Sequence, residues 1–202
     1  MEKRKLNTRS MIMMAMLGAI AAVLMFLEIS VPFAPGFVKF DLSDLPVLVS
    51  GFLFGPALGI LTASIKIIIK LVIKPTSTAF VGELSNFILA AIFVGVSCLI
   101  YRQNKTKKGA MIGMAISTLV TAVVSVLTNW WVIFPMYAKM FGMSMDQLVQ
   151  IAAATNPLVK DVVTMFILSI FPFNIFKYGV ISLVTLLIYK KISNILKKYM
   201  QS

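Results

Sequence analysis

Residues 45–73 read LPVLVSGFLFGPALGILTASIKIIIKLVI, and the number of helices in this run decides the architecture of the chain. As one helix, its 29 residues would measure about 43 Å at 1.5 Å per residue, well beyond a bilayer hydrocarbon core of about 30 Å. Gly55-Pro56 sits near the middle. Proline removes a helix donor and restricts the residue before it, so a break there is expected. Two shorter helices joined by a tight turn fit the run better than one long helix.

The surroundings support a membrane setting. Of 202 residues, 59% are hydrophobic and 13% charged, far from the balance of a soluble domain. Further apolar runs at 11–29, 84–101, 110–134 and 162–189 are each long enough to cross a bilayer. The expected fold is an all-α integral membrane protein, one domain over 1–202, built as a six-transmembrane-helix bundle. Its spans fall near 10–29, 44–54, 56–73, 83–101, 109–134 and 162–189. The basic head and apolar start, with Ala19-Ile20-Ala21, have the outline of a signal peptide. Because the apolar run continues to Ile29, the expectation is a retained first span. The single cysteine, Cys98, lies in an apolar run, so neither a disulfide nor a cysteine-based metal cluster can form within one chain.

Basic residues test the helix count, because lysine and arginine collect on the cytoplasmic side of short loops. Three clusters stand out: Lys3, Arg4, Lys5 and Arg9; Arg102, Lys105, Lys107 and Lys108; Lys190, Lys191, Lys197 and Lys198. Together they hold 12 of the 19 basic residues. Six spans place all three clusters on one side, with both termini cytoplasmic. A single span over 45–73 would strand the middle cluster outside. The same parity leaves every acid except Glu2 in outer connections or within spans. The net charge of +12 is therefore read as a topology signal with anionic headgroups as neighbours, and not as a nucleic-acid footprint.

The outer connections are the long ones. The first, ISVPFAPGFVKFDLSD, carries Pro32, Pro35 and Gly36 together with Phe33, Phe37 and Phe40. It reads either as an interfacial aromatic belt or as a lid over an outward-facing pocket. Lys66, Lys70 and Lys74 recur at helical spacing on one face of the third helix. Lys74 is an interfacial anchor at its simplest. Lys66, about 12 Å deeper, either pairs with an acid such as Glu83 or Asp161 or lines the cavity. Glu83 and Asn86 share a face at the outer start of the fourth helix, where Glu83 also suits the helix N-terminus. Asn129 precedes Trp130 and Trp131, which read as interface decoration or as a platform for a flat ligand.

The stretch FPFNIFKYG, 171–179, places Asn174 and Lys177 on one helix face. Lys177 lies roughly 20 Å along the helix from Lys190, too far to snorkel to the inner surface. Asn174 and Lys177 are read as lining a polar pocket open to the outside. The competing reading is that they only satisfy backbone groups freed by Pro172.

Much chemistry is excluded by composition. With no histidine, histidine-ligated zinc and serine–histidine catalysis are ruled out. No G-x-x-x-x-G-K-[ST] loop is present, so the chain does not hydrolyse ATP by a P-loop mechanism. The four aspartates, at 41, 44, 146 and 161, fall in or beside outer connections, where a catalytic carboxylate dyad is not expected. Binding and transport remain. On the first helix, Ala15 and Ala19, with Gly18 and Ala22 alongside, make small-xxx-small patterns that let another helix approach.

Together these stretches resemble the substrate-binding S components of energy-coupling factor (ECF) transporters, and within them the riboflavin-specific members. The likeness spans nearly the whole chain: Ala15-x-x-x-Ala19, KFDLSDLPVLVSGFLFGP, VGELSNF, TNWWVIFP and FPFNIFK. KFDLSDLP to FGP marks S components broadly. Asn129 with Asn174-x-x-Lys177 is the set resembling the flavin-reading residues of the riboflavin members.

The resemblance implies a non-enzymatic subunit of a bacterial plasma membrane that captures riboflavin as transported ligand, with no cofactor of its own. Delivery would require a transmembrane coupling protein, met by Ala15 and Ala19, and two ATP-hydrolysing subunits. Asn129, Asn174 and Lys177 would read the uracil-like edge of the flavin, with Phe40, Trp130 or Phe173 over the ring. Asp41, Lys74, Glu83 and Asn86 are candidates for the ribityl hydroxyls. The rivals are an S component for another vitamin, a stand-alone small-molecule carrier and, more distantly, a lipid-acting enzyme.

Overall fold

The structure is a computed structural model and describes residues 8–36 and 38–200. Glu2, Lys3, Arg4, Lys5 and Phe37, which figure in the sequence reading, lie outside the described residues, as do the side chains of Lys197 and Lys198. The principal helices are α1 (Thr8–Phe26), α2 (Asp44–Phe54), α3 (Pro56–Ile73), α4 (Val81–Gln103) and α5 (Lys107–Thr128). After α5 come a π-helical turn at Asn129–Ile133, α6 (Phe134–Phe141), α7 (Met145–Thr155) and α8 (Val162–Met165). A second π-helical turn at Phe166–Ile170 leads into α9 (Phe171–Met200). A two-residue antiparallel hairpin, β1 (Ile29–Ser30) with β2 (Lys39–Phe40), lies in the first long connection.

Among the described residues, five continuous helical segments are long and apolar enough to cross a membrane: Thr8–Phe26, Pro56–Ile73, Val81–Gln103, Lys107–Phe141 and Val162–Ile192. Helix α2 is the exception. Its 11 residues reach only about 16 Å. The run at 45–73 is broken at Gly55, which caps the end of α2 and the start of α3 with φ 102°, a backbone angle that favours glycine. Pro56 then occupies the first turn of α3, where a missing N–H costs nothing.

The resulting hairpin is tight because small residues face each other. Gly51 and Gly59 lie equally far from Gly55 in sequence and meet at the crossing. A Cβ on Gly59 would fall 2.8 Å from Gly51 Cα and 2.6 Å from Val94 Cγ1. Ser50 and Thr62 join their hydroxyls at 2.7 Å across the same seam. Asp44 and Lys66, again equidistant from Gly55, pair at its open end. The expected partners of Lys66, Glu83 or Asp161, are thus replaced by Asp44, because the hairpin carries Lys66 to the head of α2.

The end of the bundle carrying Arg102, Lys105 and Lys190 is closed. Phe52 and Tyr101 pack at 4.6 Å between ring centres, and the Tyr101 and Tyr189 hydroxyls meet at 3.1 Å. On α1, Gly18 and Ala22 are buried, and a Cβ on Gly18 would lie 2.5 Å from Ile65 Cγ2. Ala15 and Ala19 face outward, beside exposed Met16 and Ile20. The overlapping small-residue patterns therefore divide into an inner pair and an outer pair.

The long connection after α6 is not irregular. Helix α7 begins with a reciprocal Ser144/Gln147 cap and buries Leu148, Val149 and Ala152 in a cluster with Ile133, Phe134 and Tyr137. Gly59→Val is expected to lower the thermal midpoint in detergent through a loss of about 1–3 kcal/mol by overpacking. Substitution of exposed Ala15 by Val should leave that midpoint nearly unchanged; thermal unfolding of both variants checks this.

Candidate functional site

At the end of the bundle away from Arg102 and Lys190 lies a cavity of about 440 Å³, within the range of small-molecule pockets. Its wall draws on the first connection, α3, α4, the first π turn, α6, α7 and α9. Helix α9 supplies one face. Phe173, Asn174, Lys177 and Tyr178 all line the cavity, as i, i+1, i+4 and i+5 positions must when they share a stripe. The strand end supplies another: Lys39 and Asp41 line the cavity, whereas Phe40 between them does not, as alternation along an extended chain requires.

Two asparagines stand at the widened turns. Asn129 opens the first π turn and donates its Nδ2 to Ser125 O at 2.6 Å. Asn174 comes just after the second π turn and donates its Nδ2 to Ile170 O at 2.9 Å. Each amide is thereby fixed in orientation, with one N–H tied to its own helix and its Oδ1 left as an acceptor. Pro172 frees the Leu168 carbonyl, but that carbonyl accepts from Asn156 Nδ2 at 3.2 Å and not from Asn174. Asn174 thus makes a backbone bond, though not the one that proline releases.

Behind this wall lies a buried charge cluster. Lys177 Nζ donates to Asp41 Oδ2 at 3.0 Å and lies 3.6 Å from Asp44 Oδ2. Lys66 Nζ donates to Asp44 Oδ1 at 2.6 Å, Asn86 Oδ1 at 2.8 Å and Ser43 Oγ at 3.0 Å. The Ser43 backbone N–H donates to Asp41 Oδ1 at 2.8 Å. Asp41 is thereby held between the Lys177 ammonium and the Ser43 N–H. Both aspartates lie at the end of the first connection in sequence, yet Asp44 is fully enclosed and Asp41 nearly so.

The rim has its own order. Glu83 accepts from Lys70 at one oxygen and from the Thr76 and Thr78 hydroxyls, at 2.9 and 3.0 Å, at the other. Thr76 Oγ1 in turn accepts from the Phe80 N–H, within a loop where Ala79 and Phe80 take positive φ. Lys74 lies 3.9 Å from Glu28, which also pairs with Lys39 at 3.0 Å.

Of the residues singled out in the sequence, Asp41, Asn129, Asn174 and Lys177 come together around the cavity, joined by Lys74, Glu83 and Asn86. Phe40 and Trp130 do not line it. Phe40 packs on Phe176 at 5.3 Å, and Trp130 packs on Phe166 at 5.4 Å with 42% exposure. Trp130 comes directly after Asn129, so it points away from the face that Asn129 presents. The cavity aromatics are Phe173, Tyr137, Phe141 and Tyr178. Tyr137 and Phe141 were missed because the helix runs past the expected end at 134; Tyr178 shares the Asn174 stripe, a signal the sequence did carry.

A bundle of apolar helices with a pocket at one end, walled by charged and amide side chains and by aromatic rings, has the build of a membrane protein that captures a small ligand, and comparison with known proteins makes this specific. Residues 9–189 match the family of ECF transporter substrate-specific components, and the chain belongs to that family. The riboflavin transporter RibU of Staphylococcus aureus is 32% identical, with 97% of this chain and 98% of that protein covered. The riboflavin transporter FmnP of Bacillus subtilis is 26% identical, with 93% of each covered. A solved structure described as the S component of a bacterial ECF transporter superposes with a TM-score of 0.74 at 32% identity, covering 94% of this chain and 98% of that one. Such components bind substrate and are not enzymes.

Asp41→Asn removes the carboxylate that accepts from Lys177 and leaves that buried ammonium with Asp44 alone, at 3.6 Å. The thermal midpoint of this variant in detergent should lie below that of the wild type.

Proposed function

We propose that the protein is the riboflavin-binding S component of an ECF transporter, capturing the vitamin outside the cell for ATP-driven uptake by partner subunits. The observation that carries this reading is the pair of oriented amides. Asn129 and Asn174 each have an acceptor and a spare N–H, and they line the same cavity as Lys177 and several aromatic rings. The edge of an isoalloxazine ring alternates acceptors with one N–H donor, which such a set can read. The riboflavin transporters among its relatives, alike over almost the full length, support the same substrate.

The topology proposed with it has six crossings. Helix α2 is too short alone, and the buried approach through Asp41 and Ser43 completes its crossing. The basic residues at 102–108 and 190–191 sit at the end away from the cavity, which supports a cytoplasmic location for that end and both termini, and an outward-facing pocket, in a bacterial plasma membrane. The outward alanine pair, Ala15 and Ala19, is the proposed contact with a transmembrane coupling protein, which two ATP-hydrolysing subunits would drive. In this reading Asp41, Asn86, Lys74 and Glu83 serve the ribityl side of the pocket, with Glu83 acting chiefly through the rim loop.

Protein purified in detergent from riboflavin-fed cells is expected to carry a yellow chromophore with quenched fluorescence. Asn174→Ala and Lys177→Ala should weaken binding at least tenfold in a fluorescence titration. A colourless protein indifferent to added riboflavin would point to another small ligand. Ala15→Trp and Ala19→Trp should leave the titration unchanged while abolishing riboflavin uptake in cells that contain the partner subunits; uptake by the chain alone would favour a stand-alone carrier.

A further inference from the structure

Lys66 and Asp44 do not line the cavity, yet both are fully enclosed and each touches a residue that does. Lys66 donates three hydrogen bonds, to Asp44, Asn86 and Ser43. An ammonium has three protons, so Lys66 has nothing left to offer a ligand. Its bond to Asn86 has a directional consequence. With Asn86 Oδ1 turned toward Lys66, the amide NH2 is the part of that side chain free to meet a ligand. Asp44 bridges the two ammoniums: Oδ1 receives Lys66, and Oδ2 faces Lys177 at 3.6 Å. Lys177 has a single hydrogen bond within the cluster, to Asp41. It therefore keeps donors for the cavity that it lines.

The four charges, Asp41, Asp44, Lys66 and Lys177, sum to zero, with Ser43 and Asn86 as their neutral polar partners. A buried ion pair that serves stability alone is often replaceable by neutral groups of similar size at little cost. The connections of this one run toward the ligand wall from both ends.

We propose that Asp44 and Lys66 are positioning residues for ligand recognition. They hold Asn86 with its NH2 toward the ligand and Lys177 with spare donors in the cavity, without touching the ligand themselves. This rests on the riboflavin reading above. A lysine in place of Lys66 that pointed into the cavity would act as a contact; the observed one sets the polarity of its neighbours.

The test is the double variant Asp44→Asn/Lys66→Met, which removes one charge of each sign and keeps the interior neutral. Its integrity is checked by size-exclusion profile and thermal midpoint, and its riboflavin affinity by fluorescence titration. The expected result is a folded, monodisperse protein that binds riboflavin at least tenfold more weakly than wild type. Wild-type affinity in the folded double variant would overturn the positioning role and leave the pair purely structural. Asn86→Asp provides a second route should the double variant fail to fold. The new carboxylate still accepts from Lys66 but replaces the NH2 donors by an acceptor, so affinity should again fall at least tenfold. Unchanged affinity there would overturn the proposed orientation. A wild-type protein that ignores riboflavin sinks the functional reading, and with it the role of the cluster in riboflavin recognition, whereas wild-type binding with unaffected variants sinks the positioning alone.

Discussion

Charge neutralisation inside an apolar bundle is the constraint on which the rest of the molecule depends. An unpaired ammonium or carboxylate in such surroundings costs several kcal/mol, so Lys66 and Lys177 must find acids and the acids must come to them. The partners arrive from separate elements. Asp41 comes from the first connection, Asp44 from the head of α2, Lys66 from α3 and Lys177 from α9, with Asn86 of α4 accepting from Lys66. The cluster fixes these elements at one depth. It explains why a connection that looks external ends in a buried aspartate, Asp41, and why α2 starts, at Asp44, well inside the bundle.

A second local device places the two asparagines, Asn129 and Asn174. In both Asn129–Ile133 and Phe166–Ile170 the helix widens to π geometry, and in both a Phe-Pro pair comes immediately after, Phe134-Pro135 and Phe171-Pro172. Proline offers no N–H and crowds the preceding turn, so an extra residue is accommodated where the i−4 bond fails. The widened turns shift the register of α6 and α9. Asn156 then caps the carbonyl that Pro172 releases, tying the segment after α7 to the entrance of α9.

The two ends of the bundle differ in how they are filled. Near Arg102 and Lys190, glycines and aromatic rings allow close approach, and Gly51, Gly59 and Cys98 leave no space. At the other end, polar side chains satisfy one another around an open volume. In the proposed function this division separates capture, at the open end, from coupling, along the outward alanine face of α1.

The helical class, the break at Gly55-Pro56 and the gathering of Arg102, Lys105 and Lys190 at one end were legible from the chain alone, because they depend on local backbone chemistry and on transfer free energies that sum along a segment. The asparagine and lysine at 174 and 177 were legible for the same reason: polar groups in an apolar run stand out. Three things were not. Lys66 pairs with Asp44 and not with Glu83 or Asp161, because the crossing of α2 and α3 sets the pairing. Phe40 and Trp130 turn away from the cavity while Tyr137 and Phe141 line it, because strand alternation and a π turn set which side faces inward. The first connection descends to bring Asp41 to Lys177 across 136 positions, a contact that no local pattern encodes. Local propensity specifies elements; the requirement that every buried charge find its opposite specifies how they meet.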